Sequence, residues 1–150
     1  RFSLQGGVTL QRSRYKQPEQ WSDNPDVPAE TRMFRTPDVY GYLTANWDIT
    51  KSLSASFNAT ATGPMLVQHM VGSGTDVDVA VRTQSFFDAD LKFTYCFRLF
   101  NRLDLDLSAG VSNIFNSYQR DFDLGPTRDS GYIYGPALPR NVNIGISLNI

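Results

Sequence analysis

Residues Val142-Asn143-Ile144-Gly145-Ile146-Ser147-Leu148-Asn149-Ile150 alternate without a break. Val142, Ile144, Ile146, Leu148 and Ile150 fall on one face; Asn143, Gly145, Ser147 and Asn149 fall on the other. Successive side chains of a strand point to opposite faces, so a period of two is a strand signal. A strand that runs to the last residue of the sequence is expected to have a partner elsewhere to cover its edge.

The same period recurs upstream. Phe2, Leu4, Val8 and Leu10 oppose Ser3, Gln5, Thr9 and Gln11. Val39, Leu43, Ala45, Trp47 and Ile49 oppose Tyr42, Thr44, Asn46 and Asp48. Leu53, Ala55, Phe57, Ala59 and Ala61 alternate with small polar residues from Ser52 to Thr62. Phe87, Ala89, Leu91, Phe93, Tyr95 and Phe97 oppose Asp88, Asp90, Lys92, Thr94, Cys96 and Arg98. Leu103, Leu105, Leu107, Ala109 and Val111 oppose Asp104, Asp106, Ser108, Gly110 and Ser112. With the tail this makes six runs, and a 3.6-residue period fits none of them. Each run covers roughly ten to twelve residues, against about five or six for an ordinary strand. Strands of about 9–11 residues, tilted ~45°, are what cross a bilayer.

The connections alternate in length. Arg14 to Pro37 is long, Thr50-Lys51 is a tight turn, and Gly63 to Gln84 is long again. A short turn near Phe100-Asn101 and a long segment from Asn113 to Arg140 complete the series. Short turns on one side and long loops on the other are the rhythm of outer-membrane barrels. The final strand then descends to the periplasmic side.

Composition narrows the classes. The 150 residues have the length of one domain, and the net charge of −1 leaves no footprint for nucleic acid. Cys96 is the sole cysteine, so no internal disulfide forms. No apolar run is long enough for a transmembrane helix. The mean hydropathy of −0.32 suits a soluble protein, but hydropathy windows miss alternating strands. No signal peptide opens the chain at Arg1, which reads as a fragment or processed start.

Alternation serves two architectures. In a soluble β-sandwich the apolar face is core and the polar face meets water. In a membrane barrel the apolar face meets lipid and the polar face lines the lumen. Strand length, three long loops, and Trp47, Phe97 and Phe100 beside the short turns favour the barrel. A sandwich that binds carbohydrate or another ligand is the alternative.

No catalytic constellation is present, so an enzyme is not expected. His69 is the sole histidine, which excludes a histidine pair for zinc. No Ser lies in a G-x-S-x-G setting, and Gly72-Ser73-Gly74 lacks the strand–helix context of a phosphate loop. His69, near Met65 and Met70, reads as a solvated loop residue, with a haem or metal role as the sharper alternative. Asp76/Asp78 and Asp121/Asp123 have oxygens for calcium, although alternation alone produces such pairs. Arg120, Arg128 and Arg140 suit an anionic ligand, or salt bridges with Asp121, Asp123 and Asp129.

The stretch Gly110-Val111-Ser112-Asn113-Ile114-Phe115-Asn116 resembles the G-V-x-N-[LI]-F-[ND] segment near the end of TonB-dependent outer-membrane receptors. Tyr118 to Asp123, Arg128 to Pro136, and Pro139-Arg140 look like the closing loop of a subgroup of them. The resemblance is specific over about residues 110–150. It departs at Ile150, where such strands usually end in an aromatic residue.

The resemblance implies an all-β fold: an antiparallel meander of six long strands, the final part of a 22-stranded transmembrane β-barrel. Residues 1–150 would be its carboxy-terminal portion, with the plug domain and earlier strands absent. The implied function is active import of a scarce ligand such as an iron–siderophore complex, haem or corrinoid. The implied partners are the rest of the barrel and plug, outer-membrane lipid, the TonB energy complex and an extracellular small molecule. The ligand-facing loop candidates are His69, Arg120, Arg128 and Tyr132. No catalytic, cofactor or metal residue is assigned.

Overall fold

The computed structural model describes residues 1–99 and 103–149. The turn expected at Phe100-Asn101 and the last residue, Ile150, lie outside them. The described chain is all-β, with ten strands and no helix. Six strands form one antiparallel sheet: β1 (Phe2–Leu10), β4 (Val39–Asp48), β5 (Leu53–Thr62), β8 (Phe86–Leu99), β9 (Leu103–Ser112) and β10 (Asn141–Asn149). They pair in chain order, with β1 and β10 as the edges, so the sheet is not closed. These are the six alternating runs read from the sequence.

The registers align the alternation across the whole sheet. One row runs Phe2, Trp47, Ala55, Phe93, Ala109, Ile144; the next runs Leu4, Ala45, Phe57, Leu91, Val111, Val142. Between them lies a polar row of Ser3, Asn46, Ser56, Lys92, Gly110 and Asn143. Paired residues share a face, and a one-residue slip would turn a strand's apolar set over. No strand slips, so the sheet has one apolar and one polar face.

The apolar face is uncovered. Ile144 is 82% exposed and Leu10 is 78% exposed, and Val8, Val142, Ile146, Phe2 and Leu4 are also open. Among the described residues no second layer packs on it.

The short turn after β4 is closed by the Thr50 hydroxyl, which accepts the Ser52 and Leu53 amides at 3.1 and 2.9 Å. All three long connections leave from the opposite end of the sheet. Two of them differ from the plain loops expected. The first holds the hairpin β2 (Arg14–Glu19) with β3 (Glu30–Arg32). The second holds β6 (Leu66–His69) with β7 (Val79–Arg82). Val77, Val79 and Val81 do alternate with Asp78, Ala80 and Arg82, but four paired residues are too short a run to stand out.

The buried interior lies in this cap of connections and in the adjoining strand ends. Val27, Val67, Phe86 and Tyr132 are its large apolar members. Ser22, Thr83, Asn113 and Gln119 are buried beside them.

Candidate functional site

The third connection, the closing loop, is anchored at both ends by asparagines. Asn113 and Asn116 have φ of 50° and 54°, a left-handed conformation that Asn tolerates better than most residues. The Asn113 amide nitrogen donates to the Ser117 and Leu138 carbonyls at 3.1 and 3.0 Å, joining the loop's two ends. The Asn116 side-chain oxygen accepts the Arg140 amide at 3.0 Å. These two asparagines thus hold the two ends of the loop together beside the end of β9.

Inside the loop, Gln119 is fully buried. It donates to the Tyr132 carbonyl at 3.0 Å and accepts the Tyr134 amide at 2.8 Å and the Gly135 amide at 3.3 Å. A buried amide with its hydrogen bonds satisfied fixes backbone position without the cost of an orphaned group. It holds the segment that carries Tyr132 and Tyr134.

These two tyrosines converge on one carboxylate. Tyr132 donates to Asp121 at 3.0 Å and Tyr134 donates to it at 2.7 Å. Burial raises the Asp121 carboxyl, but the Tyr134 and Tyr132 hydroxyls outweigh it and hold it below the usual 3.8. Burial, then the charge and hydrogen bond of Asp121, pushes the Tyr132 hydroxyl up to about 12. Tyr134 is raised further by the same causes. The hydroxyls therefore stay protonated as donors across the physiological range.

On its other side Tyr132 meets the second connection. Its ring stacks on His69, centroids 3.8 Å apart and nearly parallel at 7°. His69 Nε2 lies 2.9 Å from Asp123 Oδ1, and both side chains are largely buried. The contact requires a proton on Nε2. The Asp129 amide also donates to Asp123, at 3.0 Å, and is the main reason its carboxyl is held low, with His69 adding to it. Asp129 in turn accepts the Met70 amide at 2.8 Å. Gly74 makes this approach possible, since a Cβ there would overlap the Asp123 carboxylate and crowd His69 Nε2.

The first connection joins through Ser22, whose hydroxyl donates to Asp78 at 2.6 Å. That bond, followed by the Val71 amide, lowers Asp78. Arg35 reaches the Gly131 and Ile133 carbonyls of the closing loop. The three connections are therefore one hydrogen-bonded body.

The expected site residues divide. His69 and Tyr132 are brought together, but as packed partners: Tyr132 is buried and its hydroxyl is occupied. Arg120 and Arg128 are exposed. Arg120 lies over the Tyr118 ring at 4.9 Å, and Arg128 donates to the Gly125 carbonyl at 3.2 Å.

The salt bridges expected with Asp121, Asp123 and Asp129 do not form to Arg120, Arg128 or Arg140 among the described residues. Tyrosine hydroxyls, His69 and backbone amides take those carboxylates instead. Of the oxygens considered for calcium, those of Asp121 and Asp123 are used by the same partners and those of Asp78 by the Ser22 hydroxyl and the Val71 amide, and no group of three or more His, Cys, Asp or Glu that could hold a metal ion is found among the described residues. Gln119 and Tyr134 are key residues that the sequence does not single out. Their polar side chains, in a loop rich in Pro, Gly and Asp, gave no periodic signal of burial.

A concavity of about 620 Å³ opens beside the 49–52 turn, lined by Asp48, Lys51, Thr94, Cys96 and Asp106 among others. Asp48, Thr94, Cys96 and Asp106 belong to the polar face. No protein-family model, curated protein or solved structure matches the chain.

Proposed function

We propose that this chain is wall and outer loops of a TonB-dependent outer-membrane receptor that imports a scarce ligand such as an iron–siderophore complex, haem or corrinoid. The observation that carries the reading is the continuous, uncovered apolar face shared by six paired strands. Five inter-strand spacings of ~4.8 Å and strands of about nine residues at ~3.4 Å make a face of roughly 700 Å². Exposed apolar patches above a few hundred Å² mark interaction surfaces. A strand ~30 Å long, tilted ~40°, rises ~23 Å, which matches the ~25 Å apolar band of outer-membrane barrels. A soluble sandwich needs a second layer over this face, and none is present among the described residues.

In this reading the apolar face meets hydrocarbon and the polar face lines the lumen. The two edges, β1 and β10, pair with strands of the rest of a 22-stranded barrel. The plug and the TonB complex supply the coupling. The loop cap stands at the extracellular mouth, where Arg120 and Arg128 offer exposed cations to an anionic ligand.

The test is spin-label scanning of β10 in the full-length protein, reconstituted in vesicles in a Cys96→Ser background. Labels at positions 142, 144, 146 and 148 should be accessible to oxygen in the bilayer. Those at 143, 145 and 147 should be accessible to a water-soluble nickel reagent. Equal accessibility on both faces, or no vesicle association, would sink the proposal.

A further inference from the structure

The closing loop gathers three oxygen-bearing side chains at one point. Tyr134 Oη lies 2.7 Å from both Asp121 oxygens, and Tyr132 Oη lies 3.0 Å from Asp121 Oδ2. The two rings meet edge to face at 64°, with centroids 5.3 Å apart. The buried Gln119 side chain holds the Tyr132 carbonyl and the Tyr134 amide, so the backbone fixes the arrangement.

The spacing is that of neighbouring ligands on one ion. An octahedral ion with bonds of ~2.0 Å sets adjacent donors ~2.8 Å apart. The two phenol oxygens and Asp121 Oδ2 stand at 2.7 and 3.0 Å.

The negative charge here has no cation of its own. The salt bridges among the described residues are Arg32–Asp38, His69–Asp123 and Arg98–Asp104, so no Lys or Arg pairs with Asp121. Arg120, its neighbour in sequence, lies over the Tyr118 ring instead. The Asp123 charge also acts on the Tyr132 hydroxyl. Asp121 is exposed, which leaves the cluster open to solvent.

The phenols decide which cation fits. Calcium and magnesium are served by carboxylates, carbonyls and water, and leave a phenol protonated. A small trivalent ion displaces phenolic protons, and tyrosine oxygen is a known ligand of iron.

We infer that Asp121, Tyr132 and Tyr134 form a binding site for ferric ion. Fe³⁺ binds one carboxylate and two phenolates, two protons pass to water, and the three ligand charges balance the ion. No electron is transferred. The other coordination positions fall to water or to oxygens of an incoming ferric complex. His69 is not a ligand, because its Nε2 faces Asp123 and its ring lies flat on Tyr132. The inference goes beyond the receptor reading and does not rest on it, since the site lies wholly within the closing loop.

The experiment titrates the full-length protein in detergent with ferric nitrilotriacetate and follows visible absorbance. Phenolate bound to ferric iron gives a charge-transfer band that tyrosine and ferric nitrilotriacetate lack. The wild type should develop this band, and gallium(III), a redox-silent trivalent ion, should suppress it. The double variant Tyr132→Phe/Tyr134→Phe should lose the band. Asp121→Asn, close to isosteric, should weaken iron binding at least about tenfold, and gives the same test should the phenylalanines disturb the loop. Tyr118→Phe, in the same loop but outside the cluster, should keep the band.

No band in the wild type, a band that persists in the double variant, or unaltered affinity in Asp121→Asn overturns the inference. So does loss of the band in Tyr118→Phe, indifference to gallium, or suppression by millimolar calcium. Each of these leaves the receptor reading intact, because that reading stands on the alternation of the β10 labels.

Discussion

The sheet and the cap are built on opposite principles. The sheet exposes its large apolar side chains and is held by strand-to-strand backbone bonds. The cap buries polar side chains, with Gln119, Asn113 and Ser22 inside it, and is held by their hydrogen bonds. The difference teaches where solvent acts as a structural element. A sheet with one apolar face is stable only where something apolar covers that face, whereas a loop cap in water must satisfy its own buried donors and acceptors.

The largest expected effect breaks the sheet's side of this contrast. Ile144→Lys sets a charge on the apolar face near the middle of β10. With that face in hydrocarbon, as proposed, it should cost about 2–4 kcal/mol of folding stability. Ser147→Lys, on the other face, should change it by less than about 0.5 kcal/mol. Denaturant titration in lipid vesicles measures both, and equal costs would remove the distinction between the faces.

Next comes Gln119→Leu in the cap. It leaves the Tyr134 and Gly135 amides and the Tyr132 carbonyl without their partner. The expected cost is about 1–3 kcal/mol. Hydrogen exchange at Tyr134 and Gly135 should accelerate by roughly tenfold or more, while the amides of β9 and β10 keep their protection. Loss of protection across the sheet would show that cap and sheet are a single cooperative unit.

A smaller effect belongs to His69→Ala, which removes the stack on Tyr132, worth about 1 kcal/mol. Tryptic cleavage after Arg128 should quicken. His69→Phe, which keeps the stack and loses the Asp123 bond, should recover part of the resistance. No recovery would assign the linkage to the hydrogen bond alone.

The smallest effect appears only at extreme pH. Asp78, Asp121 and Asp123 are held below the usual carboxylate value, so their stabilisation is present above about pH 4. It fades as pH falls through their lower folded values. Tyr132 is raised, so its share is full below its ordinary value of 10 and fades as pH rises toward about 12. Cap amides should lose exchange protection at both ends of this window while sheet amides do not. A flat cap profile from pH 2 to 7 would contradict the carboxylate network.

The strands were legible because alternation is written in local order. Val142 to Asn149 and Leu53 to Thr62 need only their own pleat to show which side chains share a face. The cap was not legible. Gln119 is buried because residues thirteen to sixteen positions later fold back onto it, and His69 meets Asp123 across 54 residues. Polar residues in Pro- and Gly-rich loops read as solvated, since the partners that bury them are distant in sequence. Gly72-Ser73-Gly74 lacks the strand–helix setting of a phosphate loop, and Gly74 serves instead the close approach of His69 and Asp123.

By itself the sequence determined the all-β class, the six long strands, the faces of each and the alternation of short and long connections. These follow from side-chain period and turn residues, which depend on near neighbours. Only the tertiary structure decided that every strand shares one register of apolar rows, that this face lies uncovered, and that three loops close into one body around Tyr132. Those outcomes depend on which distant groups meet, and hydrogen bonds and packing between distant segments leave no period in the chain.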